Sequence, residues 1–320
     1  MAKIAFLYPG QGSQKVGMGG ELLKSAPWLF EKYLACSEEV IGLPLTRYCL
    51  EGPLDALSQT HIAQPALFAY SLALTTYAHQ CGLYADMVAG HSLGEYTAAV
   101  AAGVLSFEDG LQLVSQRGNL MYGVQKDAPG AMAAIVGVPL EELRCLCTEI
   151  SKHHYVTVAN LNTHSQFVVS GVEQGVQEMI EALRSRKTVR AMRLPVKGAF
   201  HSRLMLPVQS ALQTVMHHLT WHDARMPVVA NVSGRPLGYK EQVRNELIDQ
   251  VTNPVCWTAC VETLLDAGCD IFVELGSSQV LTRLVRAIAP GTQVFSADTP
   301  EKIDALVATL QEPAYMSACA

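Results

Sequence analysis

The fold is decided by the stretch of residues 87–103, MVAGHSLGEYTAAVAAG. Its apolar start, Met87 to Gly90, predicts a short buried strand, and Glu95 to Ala102 predicts a helix that ends at Gly103. Between them lies Gly-His-Ser-Leu-Gly, which fits the pattern G-x-S-x-G in the strand-turn-helix context that this pattern requires. The stretch therefore predicts an α/β fold in which Ser92 stands on a tight turn with its hydroxyl exposed.

Strand-like and helix-like runs alternate on both sides of this turn, which predicts a largely parallel sheet. Ile4 to Tyr8 reads as the first strand, and Gln64 to Gln80 as a helix with Pro65 at its first position. Ser106 is followed three residues later by Asp109, which predicts the start of a helix running to about residue 121. We expect a large domain of the α/β-hydrolase-like type with a parallel sheet.

From about residue 130 to 196 the order of predicted strands and helices changes to β-α-β-β-α-β, which is the ferredoxin-like unit. The predicted strands and helices are Ala131–Val136, Leu140–Ile150, Val156–Ala159, Phe167–Ser170, Val172–Arg186 and Arg190–Pro195. We therefore expect residues 1–127 and 198–311 to form a discontinuous catalytic domain, residues 128–197 to form an inserted small domain, and residues 312–320 to form a tail.

Composition excludes several classes of protein. The chain has 320 residues, 49% of them hydrophobic and 16% charged, as in a globular enzyme with a sizeable core. Its net charge of −6 and the lack of a long basic run disfavour nucleic acid as a partner. Nine cysteines without a CxxC pair predict neither a zinc site nor a disulfide framework. The apolar runs are too short to span a bilayer and the start reads as a strand, so we expect a cytoplasmic protein.

A serine hydroxyl is a weak nucleophile until a base takes its proton. Among the 10 histidines we favour His201, because it follows the last strand of the small domain, where the chain re-enters the large one. A common α/β hydrolase would also place an acid between the serine and the histidine. No acid stands out there, so the residue pattern alone leaves the group that orients the base open.

Seven short segments together resemble one family. They are PGQGSQ (9–14), THIAQPAL (60–67), GHSLGE (90–95), QRG (116–118), NLNTHSQFVVSG (160–171), GAFHS (198–202) and NPVCW (253–257). In this order they resemble the malonyl-CoA:acyl carrier protein transacylases, a family that includes free-standing acyltransferases of polyketide synthases. One departure is Gly-Ser-Ser at 276–278, where the family usually has Gly-Pro-Gly, so the shape of that loop is left open.

The resemblance implies a role for each matching residue of the reaction centre. Ser92 would be the acylated nucleophile and His201 its base. The main-chain carbonyl of Gln250, rather than an acid, would orient the imidazole and fix its tautomer. The main-chain amides of Gln11 and Leu93 would form the oxyanion hole.

The resemblance also implies the substrate contacts. Arg117 would hold the malonyl carboxylate, because a guanidinium offers two parallel hydrogen bonds to a carboxylate. Phe200, just before the histidine, goes with malonyl rather than branched malonyl derivatives. Asn160, Asn162 and Gln166 could hydrogen-bond the pantetheine arm.

The implied reaction moves malonyl from malonyl-CoA to an acyl carrier protein by a ping-pong mechanism through a malonyl-Ser92 ester, in fatty acid or polyketide synthesis. No metal or redox cofactor is expected, no membrane partner is expected, and we expect a monomer. A basic cluster could meet an acidic carrier protein, or could equally be a solvated helix end; it comprises Arg184, Arg186, Lys187, Arg190 and Arg193. Two alternatives are an acyl hydrolase of the same fold that clears carrier proteins and a non-catalytic module that binds carrier protein.

Overall fold

The structure is a computed structural model that describes residues 2–311. The predicted tail, residues 312–320, lies outside the described residues. The described chain contains a six-stranded sheet and a separate four-stranded sheet. It is a mixed α/β protein, as the sequence predicts.

The larger unit is built from the two ends of the described chain. Its first part comprises β1 (Lys3–Tyr8), α1 (Gly20–Ser25), α2 (Pro27–Phe30), a π-helix (Glu31–Ala35), α3 (Cys36–Ile41), α4 (Leu45–Glu51), α5 (Leu54–Leu57), α6 (Thr60–Gln80), β2 (Met87–Gly90), α7 (Leu93–Ala101) and α8 (Phe107–Asp127). The smaller unit follows and comprises β3 (Gly130–Val136), α9 (Leu140–Ile150), β4 (Val156–Leu161), β5 (Gln166–Val172), α10 (Glu173–Leu183) and β6 (Arg190–Arg193). The second part of the larger unit comprises a 3-10 turn (Arg203–Met205), α11 (Leu206–Met216), β7 (Val228–Val229), β8 (Pro236–Leu237), α12 (Lys240–Asp249), α13 (Trp257–Asp266), β9 (Cys269–Glu274), α14 (Val280–Ile288), β10 (Gln293–Ser296) and α15 (Pro300–Gln311).

The larger sheet has the strand order β10-β9-β1-β2-β7-β8, and every pair is parallel except β7 with β8. Alternate residues of β1 enter different cores. Phe6 and Tyr8 join the large core beside α6, whereas Ala5 and Leu7 join a second core around Trp257. Both faces of the sheet are therefore buried, which is the usual setting of a parallel sheet.

The smaller sheet is antiparallel with the order β4-β5-β3-β6, and its elements follow in the predicted β-α-β-β-α-β sequence. Its own core lies between this sheet and the helices α9 and α10. Helix α10 is shorter than predicted at both ends: Val172 belongs to β5, where it pairs with Gly130, and the helix ends at Leu183 instead of Arg186. Two main-chain bonds at 2.9 Å between Val255 and the end of β4 attach this unit to the larger one.

The predicted start of α6 at Gln64 was wrong. The helix begins at Thr60, and Pro65 lies inside it rather than at its first position. The amides of Ile62 and Ala63 already bond to the Gln59 carbonyl, at 2.9 and 2.8 Å. Proline has no N–H, so this early turn lacks only the bond to the residue 61 carbonyl, and the flanking turns carry the helix across it.

Helix α8 begins as predicted, because the Ser106 side chain accepts a hydrogen bond from the Asp109 amide at 3.0 Å. It runs to Asp127, six residues past the predicted end. No helix in residues 2–311 is both long enough and apolar enough to cross a membrane.

Candidate active site

Ser92 occupies a strained turn at the carboxyl end of β2. Its φ is 54° and its ψ is −107°, a left-handed conformation that non-glycine residues rarely adopt. Such a conformation costs about 1–3 kcal/mol and persists only where the surroundings enforce it. Here the His91 amide extends the parallel ladder by bonding to the Tyr8 carbonyl at 2.9 Å, and α7 begins at the next residue, Leu93. The turn therefore projects the Ser92 hydroxyl beyond the sheet edge.

Two glycines make this turn possible through close approach rather than through their own φ angles. A Cβ on Gly90 would lie 1.9 Å from the Gly94 main chain, and a Cβ on Gly94 would lie 1.9 Å from the Tyr8 carbonyl oxygen. Both distances are far inside van der Waals contact. The two glycines of the G-x-S-x-G pattern therefore allow α7 to start directly over the ends of β1 and β2.

Ser92, His201 and Gln250 form a continuous hydrogen-bonded relay. Ser92 Oγ lies 2.7 Å from His201 Nε2, and His201 Nδ1 lies 2.8 Å from the main-chain oxygen of Gln250. A carbonyl only accepts, so Nδ1 carries the proton and Nε2 is free to accept from the serine hydroxyl. The arrangement is that of a nucleophile and general base, with a neutral carbonyl in the place of an acid.

His201 is buried, and its φ of 55° also lies in the left-handed region. Burial and the nearby Arg117 cation lower its pKa from 6.5 to about 3, although the bond to the Gln250 carbonyl opposes the shift. The adjacent Ser202 donates to the Ala199 carbonyl at 2.6 Å, which helps to hold this turn. The imidazole is therefore neutral, and able to accept a proton, at neutral pH.

Arg117 reaches the site from α8 with a side chain that is only 1% exposed. Its Nη2 lies 3.2 Å from Ser92 Oγ and 3.1 Å from Gln250 Oε1, and its Nη1 donates to Gln64 Oε1 at 2.7 Å. The guanidinium also lies over the Tyr96 ring at 4.9 Å. Within residues 2–311 no carboxylate forms an ion pair with it and its Nε has no hydrogen-bond acceptor. A buried cation beside the nucleophile can hold an anionic group of a substrate.

Asn231, which was not predicted as a site residue, supports the turn from the loop after β7. Its Oδ1 accepts from the Ser92 amide at 2.8 Å, and its Nδ2 donates to the Gly90 carbonyl at 2.7 Å. Its own amide donates to Glu95 Oε1 at 2.9 Å. Gln64 was noted as a predicted helix start and as part of THIAQPAL, but its contact with Arg117 was missed in the same way. Neither residue belongs to a motif with a known local geometry, so only their positions in the fold reveal them.

The two predicted oxyanion donors lie on neighbouring elements. Leu93 is the first residue of α7, so its amide has no partner within the helix. Gln11 follows β1, and its side-chain Oε1 accepts from the Thr60 hydroxyl. Among the described residues neither main-chain amide has an acceptor, so both are available to a ligand.

Three of the other four predicted substrate contacts lie in or beside the hairpin between β4 and β5, and the fourth, Phe200, lies after β6. Asn162 Oδ1 accepts from His91 Nε2 at 2.9 Å, which links the hairpin to the residue before Ser92. Asn160 bridges to Val255, and the Gln166 carbonyl accepts from the Asn162 amide at 3.0 Å. Phe200 is buried in the large core. Of these four residues, only Asn162 is tied to the serine turn by a side-chain bond.

The predicted basic cluster is partly neutralised. Arg186 pairs with Glu142, and Arg193 pairs with Glu173 at 2.8 Å. Arg184, Lys187 and Arg190 form no ion pair with any residue between 2 and 311. In the same range no group of three or more His, Cys, Asp or Glu side chains is arranged to hold a metal ion.

Comparison with known proteins gives a consistent result. Residues 5–311 match the family described as the acyl transferase domain. A malonyl CoA-acyl carrier protein transacylase of Bacillus subtilis (strain 168) is 37% identical over 316 residues, 98% of each protein. The protein of that name from Coxiella burnetii has a structure that superposes with a TM-score of 0.93 at 30% identity, covering 97% of this chain and 98% of that one. A malonyl-transacylase solved in complex with a type II PKS acyl-carrier protein superposes with a TM-score of 0.91 at 32% identity, covering 96% and 100%.

Proposed function

The chain belongs to the acyl transferase domain family, and on that premise we propose that it transfers malonyl from malonyl-CoA to the phosphopantetheine thiol of an acyl carrier protein. The observation that carries this proposal is the buried Arg117 guanidinium 3.2 Å from Ser92 Oγ. Malonyl differs from simple acyl groups by a free carboxylate, and a buried cation without a carboxylate partner can bind that group at the nucleophile.

The first half-reaction forms an ester on Ser92. His201 Nε2 takes the hydroxyl proton as Oγ attacks the thioester carbonyl, and the amides of Gln11 and Leu93 receive the negative charge on the carbonyl oxygen. Each such donor is typically worth about 2.7–4 kcal/mol in the transition state. The bond to sulfur then breaks, and the imidazolium returns its proton to the departing coenzyme A thiol.

The second half-reaction reverses these steps with a different thiol. The carrier protein's phosphopantetheine thiol loses its proton to His201 and attacks the malonyl-Ser92 ester. The ester bond breaks, Ser92 regains its proton, and malonyl leaves on the carrier. Because coenzyme A departs before the carrier reacts, the kinetics are ping-pong. Coenzyme A enters these reaction steps only as part of a substrate. None of the proposed steps uses a metal ion or a redox group.

The substrate contacts are part of the proposal. Phe200 beside the base favours malonyl over bulkier derivatives, and Asn160, Asn162 and Gln166 line the path of the pantetheine arm. Of the basic cluster, the three cations without a partner among the described residues are the best placed to meet an acidic carrier protein; they are Arg184, Lys187 and Arg190.

We describe the larger unit as α/β-hydrolase-like, residues 1–127 and 198–311, and the smaller, residues 128–197, as ferredoxin-like. The parallel sheet of the former and the β4-β5-β3-β6 order of the latter support these descriptions. The monomeric state, the cytoplasmic location and a role in either fatty acid or polyketide synthesis stay predictions from the sequence.

The experiment that tests this function measures where malonyl goes. Malonyl-CoA is mixed with the protein and an acyl carrier protein that carries its phosphopantetheine, and loaded carrier is followed by intact mass while free malonate is followed by chromatography. We expect malonyl-carrier to form much faster than malonate. Malonate forming faster, with or without the carrier, would instead assign the protein to the acyl hydrolases.

A further inference from the structure

We propose that Glu95, which is buried, and Glu246, which is partly buried, form a carboxyl pair that shares one proton and positions the Ser92–His201 dyad. The proposal rests on the proposed function only in taking Ser92 as nucleophile and His201 as base. Neither glutamate touches the serine hydroxyl or the imidazole in the structure. They are positioning residues that act through Asn231 and Gln250.

Glu95 is hydrogen-bonded to both residues that hold the dyad in place, Asn231 and Gln250. It lies in the first turn of α7 and is 1% exposed. Its Oε1 accepts from the Asn231 amide at 2.9 Å, and its Oε2 accepts from Gln250 Nε2 at 2.6 Å. Asn231 in turn holds the Ser92 amide. One carboxyl therefore ties the loop after β7 and the end of α12 to the helix that carries the nucleophile.

Gln250 carries this link to both halves of the dyad. Its main-chain oxygen accepts from His201 Nδ1 at 2.8 Å, and its side-chain Nε2 also donates to the Ser92 carbonyl at 2.7 Å. If the bond to Glu95 is lost, the Gln250 side chain loses a buried acceptor. The orientation of the residue that holds the imidazole then loosens.

Glu246 lies one turn before Gln250 on α12. The two carboxyls accept from consecutive main-chain amides, Glu95 from Asn231 and Glu246 from Val232, so they lie next to each other. Burial raises the pKa of both carboxyls, and the charge of Glu246 raises the pKa of Glu95 further. Two neighbouring carboxyls whose ionised forms are both disfavoured would repel each other as anions, and one shared proton removes that repulsion. The other titratable and charged groups that face the pair are Arg117, Tyr96, Asp249, Cys256 and Cys260.

The hydrogen-bond directions predict that replacement by glutamine disrupts the site at position 95 and is tolerated at position 246. Both oxygens of Glu95 accept from N–H groups, so E95Q must turn an NH₂ group against a donor. Glu246 accepts through Oε1 from the Val232 amide at 2.6 Å. A glutamine at 246 can keep that bond while its NH₂ donates to Glu95 in place of the shared proton.

The test measures the rate at which a fluorophosphonate labels Ser92, as a function of pH, in wild type, E95Q, E246A and E246Q. This probe needs an activated serine but neither malonyl nor a carrier protein. We expect E95Q and E246A to label roughly ten-fold or more slowly, because each leaves buried polar groups unsatisfied. We expect E246Q to recover most of the E246A loss. At alkaline pH the wild type should slow as the shared proton leaves, and E246Q should lack that decline.

The matched control is E274Q, because Glu274 is also buried and accepts from the Thr282 amide and hydroxyl at 2.8 and 2.7 Å, away from Asn231 and Gln250. It should lower the unfolding temperature without changing the labelling rate of the folded protein or its pH profile. The proposal is overturned if E246Q labels as slowly as E246A, or if E246Q keeps the alkaline decline. Should E95Q fail to fold, the comparison of E246A with E246Q decides alone. Normal fluorophosphonate labelling without malonyl transfer would contradict the proposed function and leave this inference standing.

Discussion

Arg117 Nη2 lies 3.2 Å from Ser92 Oγ, so the buried cation and the proposed nucleophile are close enough to contact one bound acyl group. Hydrogen bonds to Gln64 and Gln250 hold the guanidinium on two sides. The same charge lowers the pKa of His201, because a neighbouring cation disfavours imidazolium. One residue therefore acts on both the proposed choice of acyl group and the state of the base.

Arg117→Ala should reduce malonyl transfer far more than acetyl transfer, because only malonyl presents a carboxylate to the cation. A hydrogen bond to a charged group is worth about 1.5–3 kcal/mol, so we expect a selective loss of roughly 10- to 150-fold in kcat/KM for malonyl-CoA. The loss of malonyl transfer in Arg117→Lys should be smaller than in Arg117→Ala, since a lysine keeps the charge and loses only the planar fork. Equal losses for both acyl-CoA substrates would contradict the clamp.

Gln250→Ala and Gln64→Ala should distinguish a residue that only holds the Arg117 guanidinium from one that also supports Ser92. Both variants remove an acceptor from the guanidinium and should raise KM for malonyl-CoA. Gln250→Ala keeps the main-chain carbonyl behind His201, yet it also removes the donor to the Ser92 carbonyl and to Glu95. It should therefore slow acetyl transfer as well, whereas Gln64→Ala should not. Steady-state kinetics with both acyl-CoA substrates give the comparison, and identical acetyl rates in the two variants would refute it.

The pH dependence of acylation should show a base that stays neutral far into acid. The pKa of His201 is lowered from 6.5 to about 3, so the acid limb of kcat/KM for acetyl-CoA should fall well below pH 6.5. Arg117→Ala removes one cause of the lowering and should move this limb upward. Arg47→Ala, an exposed arginine on α4, should leave it in place. An acid limb near 6.5 in the wild type would contradict the burial of the base.

The same shift affects stability. The folded protein binds a proton at His201 less readily than the unfolded chain, so the unfolded state is favoured as protons are added. The contribution of the neutral, buried imidazole to the free energy of unfolding is complete above pH 6.5 and is lost as the pH falls toward about 3. Denaturant unfolding of wild type and His201→Ala across this range should show a smaller acid loss in the variant. Parallel curves would contradict this assignment.

Gly94→Ala should disrupt the serine turn, because the new Cβ would lie 1.9 Å from the Tyr8 carbonyl oxygen. The expected results are a lower unfolding temperature and little fluorophosphonate labelling of Ser92. Gly123→Ala on α8 is the matched control, since its Cβ would meet no atom within 4 Å. It should leave labelling intact and stabilise the protein by about 0.5–1 kcal/mol, because alanine is the better helix former. A folded, fully labelled Gly94→Ala protein would contradict the close-packed turn.

Much of the fold could be predicted from local pattern. The strand at Met87–Gly90 and the helix at Leu140–Ile150 have the predicted bounds, because flanking turn residues punctuate both. The start of α6 was wrong because Pro65 carries a strong helix-start preference, which a well-packed long helix overrode. Local rules describe single elements well and packing between elements less well.

Some residues of the reaction centre could likewise be predicted from a local motif, and others could not. Ser92 belongs to a local motif with its own geometry, so the sequence could predict it. His201 was favoured from its place after the last strand of the small domain, and the family resemblance added to that choice. Arg117 was assigned through the resemblance alone, because its contacts join residues far apart in the chain. Asn231 and Glu246 belong to none of the quoted segments, and Glu95 ends the segment GHSLGE without a predicted role. Their positions follow from how the loop after β7 and the end of α12 meet α7, which only the folded chain reveals.

Trapping the acyl-enzyme shows whether Ser92 carries the acyl group. The protein is mixed briefly with malonyl-CoA, quenched in acid, and analysed by intact mass and peptide mapping, with Ser92→Ala in parallel. We predict one malonyl adduct on the peptide that contains Ser92, no adduct in Ser92→Ala, and loss of the adduct when a carrier protein bearing its thiol is added before the quench. An adduct that persists in Ser92→Ala, or a Ser92→Ala protein that still loads the carrier at the wild-type rate, would contradict the account.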